Sequence, residues 1–152
     1  MNIKGVLNTK GGWTPLVLRL GLAVAIFPHG AQKVLGWFGG GGFSNTMQYF
    51  SSPDGMALPV AIAFLAIMAE FLGPLLLATG FATRIGAFAI GCNMVAAIAM
   101  VHGKNGFFMN WHNNPGAMEG FEYHILALAI ALGLIIAGGG RLSIDRALTK
   151  TS

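Results

Sequence analysis

Apolar residues run along this chain in four long blocks, each closed by polar or glycine-rich punctuation. The blocks cover residues 14–35, 56–79, 84–102 and 121–138. None shows the strict apolar–polar alternation of a half-buried strand, so each reads as a helix. Each is close to the ~20 residues that a helix needs to cross the hydrocarbon layer. A helix also satisfies its own backbone groups in lipid. Pro15, Pro59 and Pro74 fall near helix starts or kink points, which neighbouring helices tolerate. The stretch GFATR leaves a very short connection between the second and third blocks, which makes those helices antiparallel neighbours. The predicted fold is an all-α integral membrane protein. It is a four-transmembrane-helix bundle in a single domain over residues 1–152.

Composition supports lipid as the solvent. Of the 152 residues, 55% are hydrophobic and only 9% are charged, against about 25% charged in ordinary globular domains. The mean hydropathy is +0.67 and the isoelectric point about 9.7. A basic protein can be a nucleic-acid binder, but here the nine Lys and Arg sit singly at the edges of apolar blocks. Binding to nucleic acid needs a basic stripe, and none forms. Scattered edge cations fit membrane orientation signals instead.

Between the first two blocks lies GWFGGGGFSNTMQYFSSPDG. Its four glycines, Gly39 to Gly42, lack the following Gly-Lys-Ser/Thr of a phosphate loop, so the stretch reads as a flexible or re-entrant connection. The outer loop GKNGFFMNWHNNPGAMEG carries Phe107, Phe108, Trp111 and His112, and its aromatic residues fit an interfacial belt. The single cysteine, Cys92, cannot make an intrachain disulfide or a redox pair; it reads as a small buried hydrophobe. Lys4 and Lys10 precede an apolar run containing Ala23-Val24-Ala25, a passable leader-cleavage site. We read that run as the first span.

Positive charge sets the orientation. Lys4, Lys10, Arg84, Arg141, Arg146 and Lys150 fall on one side and only Lys33 and Lys104 on the other. This asymmetry predicts that both termini are cytoplasmic. Counting about 1.5 Å per residue from the outer ends, His29 lies about 9 Å below the surface, His124 about 5 Å, and His102 at it. Lys33 stands between His29 and water, so these four groups can meet in one outer-leaflet pocket. Glu70 counts to about 20 Å, nearly level with Leu22 and one turn from Arg19. That depth predicts an intramembrane Arg19–Glu70 ion pair, since a charge facing lipid at the bilayer centre costs about 2.5–3.5 kcal/mol or more. Asn93, in the middle of the third block, reads as a ligand contact or a helix–helix hydrogen bond. Ala87 and Gly91 form a small-xxx-small pair, which allows close packing within one bundle or in a homo-oligomer.

Three pieces, FPHGAQKVLGWFGG, AEFLGPLLLATGFATR and GGGRLSIDRAL, resemble the DoxX family of small four-helix membrane proteins. The resemblance covers nearly the whole chain. It implies a four-helix bundle in the bacterial cytoplasmic (inner) membrane. Some relatives are subunits of thiosulfate:quinone oxidoreductase; others are associated with thiol and oxidative stress or quinone detoxification. The family pattern falls on His29, Gly30, Lys33, Gly36, Glu70, Arg84 and Asp145.

The resulting expectation is a membrane component of a quinone-linked oxidoreductase or redox-stress system. Its ligand is quinone-like or a small anion and sits in the outer half of the bundle. His29 and Glu70 are the candidate catalytic groups. His29, Gln32, Lys33, Asn93, His102 and His124 are the candidate ligand contacts. A quinone carbonyl accepts a hydrogen bond and its reduction needs a nearby proton; histidine, with an ordinary pKa of about 6.5, suits that exchange. No glycine fingerprint for a flavin or nicotinamide occurs and no C-x-x-C-H attaches haem. No cofactor is therefore expected to be covalently bound, no metal site is expected, and electrons come from a redox partner protein or from substrate. The alternatives are a non-enzymatic binding or transport protein, an assembly scaffold, and a b-type cytochrome with His29 and His124 as axial ligands.

Overall fold

The computed structural model describes residue 5, residues 7–9 and residues 11–150, the last without its side chain. The orientation cations Lys4 and Lys10 lie outside the described residues. Six α-helices follow from residue 13 onward: α1 (Trp13–Leu35), α2 (Gly42–Ser51), α3 (Val60–Thr79), α4 (Thr83–Ala97), α5 (Glu122–Ala137) and α6 (Ile144–Lys150). No strand occurs among the described residues. The predicted apolar blocks coincide with α1, α3, α4 and α5. The α4 helix continues through a π turn, Ile98–His102, and a 3-10 turn, Gly103–Asn105. Three of these helical stretches, 13–35, 60–79 and 83–105, are long and apolar enough to cross a membrane. The fourth, α5, has only 16 residues, about 24 Å of rise.

The four apolar helices close into a ring. α1 packs on α3, α3 on α4, α4 on α5, and α5 returns to α1. Leu22, Ala23, Ile26, Leu77, Ala87, Ile90, Met94, Ala127, Ala131 and Leu134 fill the centre. Many large apolar side chains face outward, among them Val24, Leu65, Phe88 and Leu126. Such an inside-out distribution is expected where lipid, not water, covers the surface. α1 and α3 approach closely at Gly30, where a Cβ would stand 2.7 Å from the Phe71 Cα and overlap the Glu70 backbone. Only a residue without a side chain lets α1 and α3 meet there.

The glycine-rich connection is not loose. Gly36, at φ 72°, ends α1 in the left-handed conformation, and the chain then forms a 3-10 turn and α2. α2 rests against both α1 and α3. Because this extra helix and its exit loop precede α3, the second span starts at Val60 rather than near residue 56.

At the other end of the ring, charged side chains tie helix ends together. Arg19 is 2% exposed, yet it does not meet Glu70. Its guanidinium donates to the carbonyls of Leu77 (2.8 Å), Ala78 (2.6 Å), Gly139 (3.1 Å), Arg141 (3.4 Å) and Leu142 (2.6 Å). It thus caps the C-terminus of α3 and the turn before α6, where unpaired carbonyls and the helix dipole favour a cation. The expected Arg19–Glu70 pair is corrected by this geometry. Glu70 lies seven residues before Leu77, about 10 Å away along α3.

Asp145 performs the complementary task. Its carboxylate oxygens accept from the N–H groups of Ala82 (2.7 Å) and Thr83 (2.9 Å) at the start of α4. Arg84 donates to Ile135 (2.7 Å) and Ile136 (3.1 Å) at the end of α5, and also to the Asn8 carbonyl. Two of the polar residues in the family pieces, Arg84 and Asp145, are therefore helix-end ties, as is Arg19 outside those pieces. Cys92 is exposed on the outer face of the bundle, not buried as expected, beside Ala89, Ala96 and Phe88 in a shallow apolar groove.

Candidate functional site

The half of the ring where α1 ends and α5 begins holds a cavity of about 330 Å³. α1 contributes Ile26, His29 and Lys33; α3 contributes Glu70; α4 contributes Met94 and Ala97; His102 follows from the π turn. α5 contributes Tyr123 and His124, and the outer loop adds Met109 and Glu119.

On one wall Lys33 and Glu70 form a direct ion pair, with side-chain exposures of 23% and 13%. The other carboxylate oxygen accepts from Asn93 Nδ2 at 2.7 Å. Glu70 therefore links α1, α3 and α4, and its near-burial is compensated by a charge and an amide. Lys33 rises only two residues before the end of α1, and its long stem reaches back to Glu70. Asn93 is the helix–helix hydrogen bond that mid-span position predicted, and it stands behind the carboxylate.

Facing this pair, the rings of His102 and His124 lie 4.2 Å apart between centroids, tilted by 40°. His102 Nδ1 lies 2.9 Å from the Glu119 carbonyl. A carbonyl only accepts, so Nδ1–H is the donor of this hydrogen bond. His124 is 7% exposed, and its Nδ1 has no hydrogen-bond partner. The Tyr123 hydroxyl is likewise buried and partnerless. Buried polar atoms are normally paired; these two belong to residues that line the cavity and have unused hydrogen-bonding capacity.

The loop before α5 is tied back on itself by hydrogen bonds. Phe121 N donates to Gly106 O at 3.2 Å and Phe107 O at 3.0 Å, and Glu122 N to Phe107 O at 2.9 Å. Glu122 accepts from Met109 N (3.0 Å) and Trp111 Nε1 (3.2 Å), and Glu119 from Asn110 N (2.6 Å). His112 is exposed and away from the cavity lining.

The structure thus gathers His29, Lys33, Glu70, His102 and His124 around one space, with Asn93 in support. Gln32 is not among them: its amide donates to Phe38 O at 3.3 Å and fastens the turn after α1. Arg19 belongs to the opposite pole. His124 is approached by the ring of His102 rather than His29. Tyr123, Glu119, Met94 and Met109 were not anticipated. Tyr123 had a readable signal, as it adjoins His124 at a shallow depth; the loop residues had none, since a loop's fold-back cannot be counted by helical rise. Among the described residues no three His, Cys, Asp or Glu are grouped as a metal site.

The chain is 29% identical over 140 residues to an "Uncharacterized protein" of Haemophilus influenzae, covering 91% of this chain and 85% of that one. It is 28% identical over 130 residues to a Bacillus subtilis protein named "Putative oxidoreductase CatD", covering 86% and 83% respectively. No solved structure matches it. The DoxX family model matches residues 14–103, the stretch holding α1 to α4 and the whole Lys33–Glu70–Asn93 wall; this integral membrane protein belongs to the DoxX family.

Proposed function

We propose that the protein is a component of a quinone-linked redox system in the bacterial inner membrane, binding the ring of a quinone-like ligand in the outer cavity. The observation that carries this reading is the pair of partnerless buried groups, Tyr123 OH and His124 Nδ1, in a cavity of about 330 Å³. A small anion is less well matched, because Lys33 is already neutralised by Glu70. A neutral ring with two carbonyl oxygens uses donors without needing a free cation. Quinone reduction takes two electrons and two protons and breaks no ring bond. The hydroxyl and imidazole groups can orient the oxygens and exchange the protons. The electrons would come from a redox partner protein or a reduced substrate, as the chain carries no flavin or nicotinamide fingerprint. The name of the Bacillus subtilis relative supports a redox role. We further propose four spans with both termini cytoplasmic, which puts the cavity toward the outer leaflet.

The test is titration of a short-chain ubiquinone analogue into the purified chain and its His29→Ala and Tyr123→Phe variants. One neutral hydrogen bond contributes about 0.5–1.5 kcal/mol, so Tyr123→Phe should weaken binding by about two- to tenfold. His29→Ala should also weaken it while leaving thermal stability intact. Affinities equal to wild type in both variants would overturn the site and favour a scaffold or transport role.

A further inference from the structure

A second concavity, of about 470 Å³, lies at the opposite pole, lined by Trp13, Arg141, Leu142, Ser143, Arg146 and Ala147. Its two arginines are held in place. The Arg141 guanidinium stacks 4.9 Å from the centroid of the Trp13 ring, and the Arg141 N–H donates to the Gly12 carbonyl at 3.0 Å. The Arg146 guanidinium packs against Gly11, where a Cβ would come within 2.6 Å of its Cζ. Arg146 N–H also donates to Ser143 Oγ at 3.2 Å.

Neither guanidinium has a carboxylate partner among the described residues. The nearest acid in sequence, Asp145, turns both oxygens inward to Ala82 and Thr83. The surroundings are apolar as well as basic. Leu142 is 76% exposed, and Val17, one turn along α1 from Trp13, is exposed too. Two fixed, unpaired guanidiniums beside exposed aliphatic side chains fit an anion that carries hydrocarbon. A soluble anion would gain nothing from the Leu142 and Val17 faces.

We propose that this concavity binds the phosphate group of an anionic phospholipid. The forked N–H groups of Arg141 and Arg146 would hold the phosphate oxygens. The Trp13 indole would sit at headgroup level, as interfacial tryptophans do. The acyl chains would run along Val17 and Leu142. The site is independent of the outer cavity, and its occupancy would fix how deep the start of α1 and the turn before α6 sit in the membrane.

The experiment uses the full chain in neutral detergent, with phosphatidylglycerol, phosphatidylcholine or inorganic phosphate added, reading bound lipid by native mass spectrometry and thermal stability in parallel. Wild type should retain phosphatidylglycerol in preference to phosphatidylcholine and gain stability from it. A basic residue near a membrane surface favours anionic lipid by about 1 kcal/mol, so Arg141→Gln and Arg146→Gln should each weaken phosphatidylglycerol retention about fivefold. Arg146→Lys should retain part of it. Equal retention of the two lipids by wild type, or unchanged preference in both glutamine variants, overturns the proposal. So does full stabilisation by inorganic phosphate alone, which would assign the arginines to a soluble anion. If a glutamine variant does not fold, Arg146→Lys and the wild-type lipid preference still decide.

Discussion

Glu70 uses both carboxylate oxygens on neighbouring helices, one toward Lys33 of α1 and one toward Asn93 of α4. Removing the charge therefore leaves Lys33 without its partner inside the ring. A fully buried pair broken on one side costs about 3–5 kcal/mol. Lys33 keeps 23% exposure, so Glu70→Gln should cost somewhat less, about 2–3 kcal/mol. Lys33→Gln alone should cost less again, because Asn93 still serves the carboxylate. The double variant should be more stable than the sum of the singles predicts, as neither charge is then orphaned. A double-mutant cycle by thermal unfolding in detergent checks this; additive losses would show that the pair does not couple. Lys33 and Glu70 were both visible as intramembrane ionisable residues, which are costly to keep in lipid. Their pairing was not visible, because it depends on where α3 begins and on how far a lysine stem folds back.

At the scale of elements, the apolar blocks placed α1, α3, α4 and α5 within a few residues of their observed ends, since a lipid-facing helix must be continuously apolar. The helices that were missed, α2 and α6, are short and carry no long apolar run. α2 opens within four glycines, which read as a loop by propensity; its packing on α1 and α3 overrides that preference. This one omission moved the expected start of α3 and produced the mistaken Arg19–Glu70 pairing. The observed role of Arg19 is larger. Its side chain satisfies five carbonyls at the ends of α3 and of the turn before α6. Arg19→Met keeps the stem but strands buried acceptors at about 1–3 kcal/mol each, so a loss of about 3–5 kcal/mol is expected even after partial rehydration. Asp145→Asn keeps one acceptor for α4 and should cost only about 1–2 kcal/mol. Gly30→Val should push α1 from α3, at about 1–3 kcal/mol or more, and should also displace Glu70 and weaken ligand binding. Thermal unfolding of the three variants gives the order directly; a near-neutral Arg19→Met would mean that water reaches those carbonyls.

The whole molecule has two poles of different character. One holds a cavity whose walls mix an ion pair, two imidazoles in contact and a phenol under an aromatic loop. The other is a set of helix-end ties, Arg19, Arg84 and Asp145, with Arg141 and Arg146 facing outward. α5 is the short member, about 24 Å of helix against a hydrocarbon layer of about 30 Å, so a crossing by α5 would need Phe121 and the folded 106–121 loop to complete it. Three long apolar helices alone would leave the termini on opposite sides; a spanning α5 returns them to the same side. Topology therefore tests α5 as well as orientation. In a Cys92→Ser background, single cysteines at Ser44, Phe81 and Asn113 report the three connections. If four helices cross with cytoplasmic termini, an impermeant thiol reagent added outside intact spheroplasts should label positions 44 and 113 and spare 81. Ser44 is in α2 and Asn113 in the loop over the cavity, so both belong to the pole with the cavity. A tag after residue 152 should then be protected from external protease. Label at 81 alone would invert the molecule and place the cavity toward the cytoplasm, where reduced partners are abundant. Correct labelling at 44, 81 and 113 with an external C-terminus would leave α5 as a helix that enters the membrane without crossing it. His124 and Tyr123, both on that helix, would then line a cavity open to the outer surface rather than one enclosed by four spans.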